Sequence, residues 1–305
     1  MNSIADAIEP GAAVPRAMPS GTALVTLLRR EFWEHRYLLW VPPAFVALLL
    51  LLAMFAHVEI DDMPVRVQAA LTTLTQYLLT AVLFLIVVAV LAYYTLDCLH
   101  AERKDRSILF WKSLPVSDGL TVAAKFLVAL VVVPLGAVVL ALLGHLLFTA
   151  ILTVRAAFGG LPVAPVWDTL EWLRNVALML VLLLLAMLWY APVIAAALLL
   201  SGWARKPFLW ATLPPLIVLI VEPIFFRTQY FWHFLQYRSQ GIWEVLARGI
   251  RMPKEDAVPH SIASALFANL NWRAALGDID LWLGVLLALA LLYAATRLRR
   301  YHDET

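Results

Sequence analysis

The chain alternates long apolar runs with short polar breaks. A membrane-spanning helix needs about 20 mainly apolar residues. Six segments qualify: roughly Tyr37 to Ala56, Leu71 to Leu96, Leu120 to Val154, Val176 to Leu200, Phe208 to Phe226, and Leu281 to Thr296, the last short unless extended to Ile279 and Leu298. The third is longer than a bilayer is thick and is expected to protrude at one or both ends. The pattern predicts an all-α integral membrane protein with a single six-helix domain over residues 21–305, behind a disordered tail at 1–20.

Two shorter patterns flank these runs. Residues 22–36, TALVTLLRREFWEHR, repeat Leu24, Leu28 and Phe32 at i, i+4, with Arg29, Arg30, Glu34 and His35 on the other side. This reads as an amphipathic helix lying in the membrane interface. Pro42 and Pro43 predict a break or bend between it and the first span. Between the fifth and sixth spans, residues 227–280 contain RTQYFWHFLQYR, GIWEVLARGI and HSIASALFANLNW. They read as a set of short outer helices, partly re-entrant or anchored at the headgroups by Trp232, Trp243 and Trp272. Pro134, Pro192 and the pair Pro214–Pro215 interrupt the third, fourth and fifth spans, as shaping bends or as hinges.

Composition agrees with the pattern. Of the 305 residues, 63% are hydrophobic, and the mean hydropathy is +0.84. A soluble domain is nearer half apolar. The net charge of +2 is too small to point to nucleic acid. Basic residues instead mark topology. With the N-terminus inside, inner segments hold Arg29, Arg30 and Arg36, then Arg103, Lys104, Arg106 and Lys112, then Arg205 and Lys206, then Arg297, Arg299 and Arg300. The first outer loop is acidic, with Glu59, Asp61 and Asp62. Both termini are therefore expected in the cytosol. The first 20 residues do not read as a secretory signal. The single cysteine, Cys98, excludes an internal disulfide. The histidines are scattered, and no tight metal site is indicated.

The densest charge falls between the second and third spans, in LHAERKDRSILFWKSLPVSDGLTVAAK at 99–125. Glu102 to Ser113 has no Gly or Pro and can form helix, which Pro115 and Gly119 end. Glu102 and Arg106 are spaced i, i+4 for an ion pair. Phe110 and Trp111 are large apolar anchors beside basic groups, the residue types enriched at interface centres. Ser117 or Asp118 can cap the next helix. A cytosolic helix that docks a partner and one that rests on the inner leaflet fit these residues equally well.

Within the spans, Gln76 with Thr72, Thr73, Thr75 and Thr80 forms a polar stripe that either lines a pathway or bonds between helices. His145 lies among leucines, as a packing histidine or a proton relay. Glu222, beside Pro223 and near Arg227, fits an ion pair at the outer rim or an outer gate.

The order of parts resembles the permease subunit of a bacterial ABC exporter of the ABCG-like (type V) class, over roughly residues 22–303. The matching pieces are RREFWEHR, two spans, ERKDRSILFWKSLPVSD leading to Lys125, four further spans with an elaborated outer segment before the last, and a closing RLRRY. The resemblance implies that 101–117 is a coupling helix docked on a separate ATPase subunit through Glu102, Arg103, Arg106, Phe110, Trp111 and Leu114. It also implies that a second copy or a homologous permease completes the pathway, and that the protein sits in the bacterial inner membrane. GLTVAAK at 119–125 is not a GxxxxGK[ST] phosphate loop. ATP and magnesium are therefore expected on the partner, with no cofactor in this chain. The apolar spans favour an amphipathic or hydrophobic cargo. The competing expectations are an intramembrane enzyme, for which GxSG and HExxH are both missing, and a membrane anchor or assembly factor that transports nothing.

Overall fold

The computed structural model describes residues 20–55, 65–105, 116–159, 169–248 and 269–301. These residues are all-helical, with no strand among them. Helices α1 (Ser20–Glu34), α2 (Tyr37–Phe55), α3 (Val65–Lys104), α4 (Asp118–Leu127), α5 (Val133–Gly159), α6 (Thr169–Trp203), α7 (Pro207–Val221), α8 (Tyr230–Ala247), α9 (Trp272–Leu276) and α10 (Ile279–Tyr301) follow in order. Six helical stretches are long and apolar enough to cross a membrane: Tyr37–Phe55, Leu71–Lys104, Asp118–Phe158, Trp172–Trp203, Pro207–Phe226 and Trp272–Tyr301. They match the six predicted spans, several running past the predicted ends. The chain is a multi-pass membrane protein. Lipid offers no water to backbone groups, so each crossing must satisfy its own hydrogen bonds, as a helix does.

The bundle core forms where α3, α5 and α6 meet, around Leu83, Val87, Tyr94, Val138, Leu183 and Leu198. Cys98 is fully buried there beside Leu99 and packs as a small apolar side chain. Outside the core, large apolar residues stay exposed. Along α7, Leu213, Leu216, Ile217 and Ile220 all face outward. That surface suits hydrocarbon rather than water.

The break between α1 and α2 falls at His35–Arg36, before the prolines. Pro42 and Pro43 lie inside α2, in its second turn, where each removes one backbone hydrogen bond, to the Leu38 and Leu39 carbonyls. The over-long third span is two helices joined by a π turn, Val128–Val132, directly before Pro134. The wider turn accommodates a residue that cannot donate a backbone hydrogen bond. A second π turn, Glu222–Phe226, contains Pro223 and ends at Arg227 in the left-handed region, φ 54°.

Of the predicted outer segment, residues 249–268 lie outside the described residues. In the remainder α9 is a short helix of five residues, but the first two pieces are not separate. RTQYFWHFLQYR and GIWEVLARGI join into one helix, α8, which runs unbroken through Gly241. Glycine is required there because a Cβ would lie 2.7 Å from the Tyr237 ring. Ile242, Val245 and Leu246 of α8 pack against Leu185 and Trp189 of α6, Ala275 of α9 and Leu281 of α10. Arg238 places its guanidinium 4.4 Å from the Trp189 ring centre and also donates to the Trp189 carbonyl. Trp189 returns a bond from Nε1 to the Arg238 carbonyl at 2.8 Å. Trp243 is held by Tyr190 at 2.9 Å, whereas Trp232 is half exposed.

Gly284 of α10 admits the Arg238 guanidinium, since a Cβ would lie 2.8 Å from its Nη2. Gly284→Val is therefore expected to push Arg238 off Trp189 and destabilise the protein by about 1–3 kcal/mol. Thermal melting in lipid nanodiscs measures it. Gly284→Val should cost much less in an Arg238→Ala background.

Candidate functional site

The charged connection between α3 and α4 begins and ends in one buried ionic cluster. Residues 106–115 lie outside the described residues, so Arg106, Phe110, Trp111 and Leu114 are not placed. The residues on either side are. Glu102 lies in the last turn of α3, and Asp118 opens α4. Ser117 caps α4, its hydroxyl accepting from the Leu120 amide at 3.2 Å. Lys125 follows two turns into α4, on the same face, and is fully buried.

Lys125 is the centre. Its ammonium donates to both oxygens of Glu31 at 2.9 Å each and lies 3.0 Å from Glu102. Glu31 comes from α1 and also accepts the Tyr94 hydroxyl at 2.9 Å. Glu102 accepts from Arg30 of α1 at 2.6 Å and from Arg299 of α10 at 2.5 Å. Arg299 further donates to Asp118 at 3.1 Å, and Arg30 pairs with Glu34 at 2.7 Å. Glu31 is 1% exposed, Glu102 4% and Arg299 8%. The most buried members, Glu31, Glu102, Lys125 and Arg299, are two acids and two bases. They neutralise one another, which is the condition under which charges tolerate burial.

Why the sequence folds this way is legible helix by helix. On α1 the packed stripe is Ala23, Leu27, Glu31 and then His35, spaced four apart. It runs one position before the predicted Leu24–Leu28–Phe32 repeat, whose members are half-buried at its side. His35 stands edge-on to Tyr94, with ring centres 5.0 Å apart. Burial first, then the charge of Lys125, push its imidazole below the ordinary histidine range. Glu31, Glu34 and His35 bring their ligand atoms within 4.8 Å of one another. The carboxylates are already engaged by Lys125 and Arg30, so the group serves the ion network.

Of the six predicted docking residues, the two that are placed turn inward. Glu102 joins the cluster. The predicted Glu102–Arg106 pair involves an undescribed residue, and the described cations around Glu102 are Arg30, Lys125 and Arg299. Arg103 donates to the carbonyls of Ser201 and Ala204 at 2.8 Å each. It thereby caps the end of α6, where carbonyls are left unpaired and the helix dipole favours a cation. Ser201 accepts in turn from the Leu99 and His100 amides. Both ends of the connection are thus fastened: α3 to α1, α6 and α10, and α4 to α1 and α10.

The polar stripe on α3 also faces other helices. Gln76 donates to Thr149 of α5 at 3.0 Å. Thr80 lies 2.7 Å from His145 Nε2, and Tyr77 donates to Asn175 of α6. Gln76 and Thr80 therefore bond between helices. His145 is buried at 3% exposure, and its Nδ1 has no hydrogen-bond partner among the described residues. Glu222 caps α8: its carboxylate accepts from Thr228, Tyr230 N and Phe231 N at 2.9, 2.6 and 2.9 Å. The ion pairs among the described residues do not include Glu222 with Arg227.

Of the four most buried members, three have no charge-pairing role from sequence: Glu31, Lys125 and Arg299. Each sits inside a segment quoted for the resemblance, RREFWEHR, the lysine after SLPVSD, and RLRRY. A lone lysine among the apolar residues of VAAKFL was the available signal, because such a residue must find a counter-charge. No protein-family model, curated protein or solved structure matches this chain.

Removing one partner from a buried network leaves the others uncompensated. Lys125→Ala is expected to lower stability by about 3–5 kcal/mol. Lys125→Met with Glu31→Leu should recover much of that loss, because no single charge is left buried. Melting in nanodiscs at neutral pH compares the two.

Proposed function

We propose that the chain is the membrane-spanning subunit of an ATP-driven exporter of the ABCG-like class, energised by a separate ATPase. One observation carries this reading. The three segments that bear the resemblance, at the N-terminal helix, the 102–125 connection and the C-terminus, meet in one buried ionic cluster at one end of the bundle. A docking segment that must move spans needs a stiff base, and this base joins α1, α3, α4 and α10.

In the proposed mechanism the end of the bundle holding the cluster faces the cytosol. There α1 lies in the membrane interface, its exposed Trp33 and Arg29 towards headgroups. The 101–117 coupling helix docks on the ATPase through Arg106, Phe110, Trp111 and Leu114. Glu102 and Arg103 act behind it, holding its root to the bundle. ATP and magnesium bind between two ATPase subunits, and their closure pushes the coupling helices. The rigid cluster passes that push to α3 and α4–α5 together instead of letting the connection bend. A second copy, or a homologous permease, supplies the other wall of a pathway for an amphipathic or hydrophobic cargo. Gln76, Thr80 and Glu222 hold the outer half in shape rather than touching cargo. The protein would reside in the bacterial inner membrane, with both termini cytosolic.

The purified chain alone is expected to hydrolyse no ATP, and an ABC-type ATPase subunit should co-purify with it from its native membrane. Phe110→Ala with Trp111→Ala should lose that subunit while the melting temperature holds. Unchanged co-purification would contradict docking through the connection.

A further inference from the structure

We infer that the cleft between the end of α3 and the start of α7 binds a phospholipid from the leaflet at the charged end, by its phosphodiester, with preference for a monoanionic lipid bearing a hydroxylated headgroup. The cleft is open on one side and holds about 510 Å³. One stripe of α3 forms a wall: Tyr93, Asp97, His100 and Lys104, spaced three or four apart as a helix face requires. The opposite wall is the α6–α7 connection, Arg205 and Lys206, leading into the first turn of α7 at Pro207. Pro207 has no N–H, and the Leu209 and Trp210 amides already bond the Lys206 carbonyl. The groups that can bind a phosphate here are therefore the Arg205 and Lys206 side chains, by charge-assisted hydrogen bonds.

The charges of this cleft behave unlike those of the buried cluster nearby. Lys104, Arg205, Lys206, Asp97 and Asp105 form no ion pair among the described residues. Three cations and two carboxylates line the cleft, an excess of one positive charge. One phosphodiester balances that charge. The two carboxylates add selectivity. They accept hydrogen bonds from headgroup hydroxyls, which a serine headgroup lacks, and they face its carboxylate as well as its ammonium.

The cleft is also built for a molecule with a tail. Tyr93 and Phe208 lie at its bilayer side, with ring centres 5.3 Å apart. Beyond them Leu85 of α3 and Leu209 and Leu213 of α7 are exposed apolar residues that can carry acyl chains. A soluble phosphate would use the cations and leave this surface unused. A lipid uses both.

The test is native mass spectrometry of the full chain in non-ionic detergent, titrated separately with phosphatidylglycerol, phosphatidylserine and phosphatidylcholine of matched acyl chains. The first phosphatidylglycerol is expected to bind about tenfold more tightly than phosphatidylcholine, and more tightly than phosphatidylserine. Arg205→Gln with Lys206→Gln should remove that preference, and Asp97→Asn should remove the discrimination against phosphatidylserine. Arg300→Gln, an exposed cation at the same end of the bundle, should change neither. Equal binding of phosphatidylglycerol and phosphatidylserine would reduce the cleft to general attraction for anionic lipid and overturn the assignment. So would unchanged preference in the Arg205/Lys206 variant. Displacement of the lipid by millimolar inorganic phosphate would make it a site for free phosphate instead.

Discussion

The structure hangs on a lysine that has no access to water. Lys125 sits at 0% exposure between Glu31 and Glu102. An isolated ammonium could not remain charged there. Its two carboxylates come from different helices, and they are themselves held by Arg30, Arg299 and Tyr94. Satisfying one charge therefore fixes the relative positions of α1, α3, α4 and α10. Apolar side chains alone would not fix them so narrowly. In lipid, sliding one leucine-covered helix along another exchanges one apolar contact for a similar one. Sliding α1 by one turn would break every pair it makes with another helix in this cluster.

The same logic recurs along the bundle. Midway, Arg238 and Trp189 exchange hydrogen bonds and bind α8 to α6, with Gly284 of α10 leaving room for the guanidinium. Between these levels and the far end, Gln76, Thr80, His145 and Thr149 tie α3 to α5, and Tyr77 ties α3 to Asn175 of α6. Helices that are oily on nearly all faces are thus positioned by a few polar contacts. Most of the apolar surface remains outward, where hydrocarbon can cover it.

Much of the fold was legible because spans are set by length and hydropathy. All six were located, and their ends differ mainly because helices continue beyond the hydrocarbon-length run, as α3 does to Lys104. The continuity of α8 was less legible. Its two halves look like separate amphipathic pieces until Tyr237 is seen to cover Gly241. The site was legible only as a concentration of charge. Glu102 and Arg103 read as surface residues, because local spacing offered Arg106 as a partner. Their actual partners are distant: Arg299 is separated from Glu102 by 197 positions, and Ser201 from Arg103 by 98. Pairings of that range are set by topology, which periodicity does not encode. Lys125 was visible as an oddity, and the rule that a buried charge seeks a counter-charge applies to it, but sequence does not say which acid.

The functional proposal takes its force from this geometry. A connection anchored at both ends to α1 and α10, and through α3 to α6, moves as part of the bundle, whereas one anchored by backbone alone would flex. The most direct test is a double-mutant cycle between Glu102 and Arg299, using Glu102→Gln, Arg299→Met and the double variant, with unfolding free energy measured in nanodiscs. The account predicts non-additivity within about 0.5–3 kcal/mol, as for residues in one ion network. Additive effects would mean that the two do not interact, and that the cluster does not join the connection to the last helix.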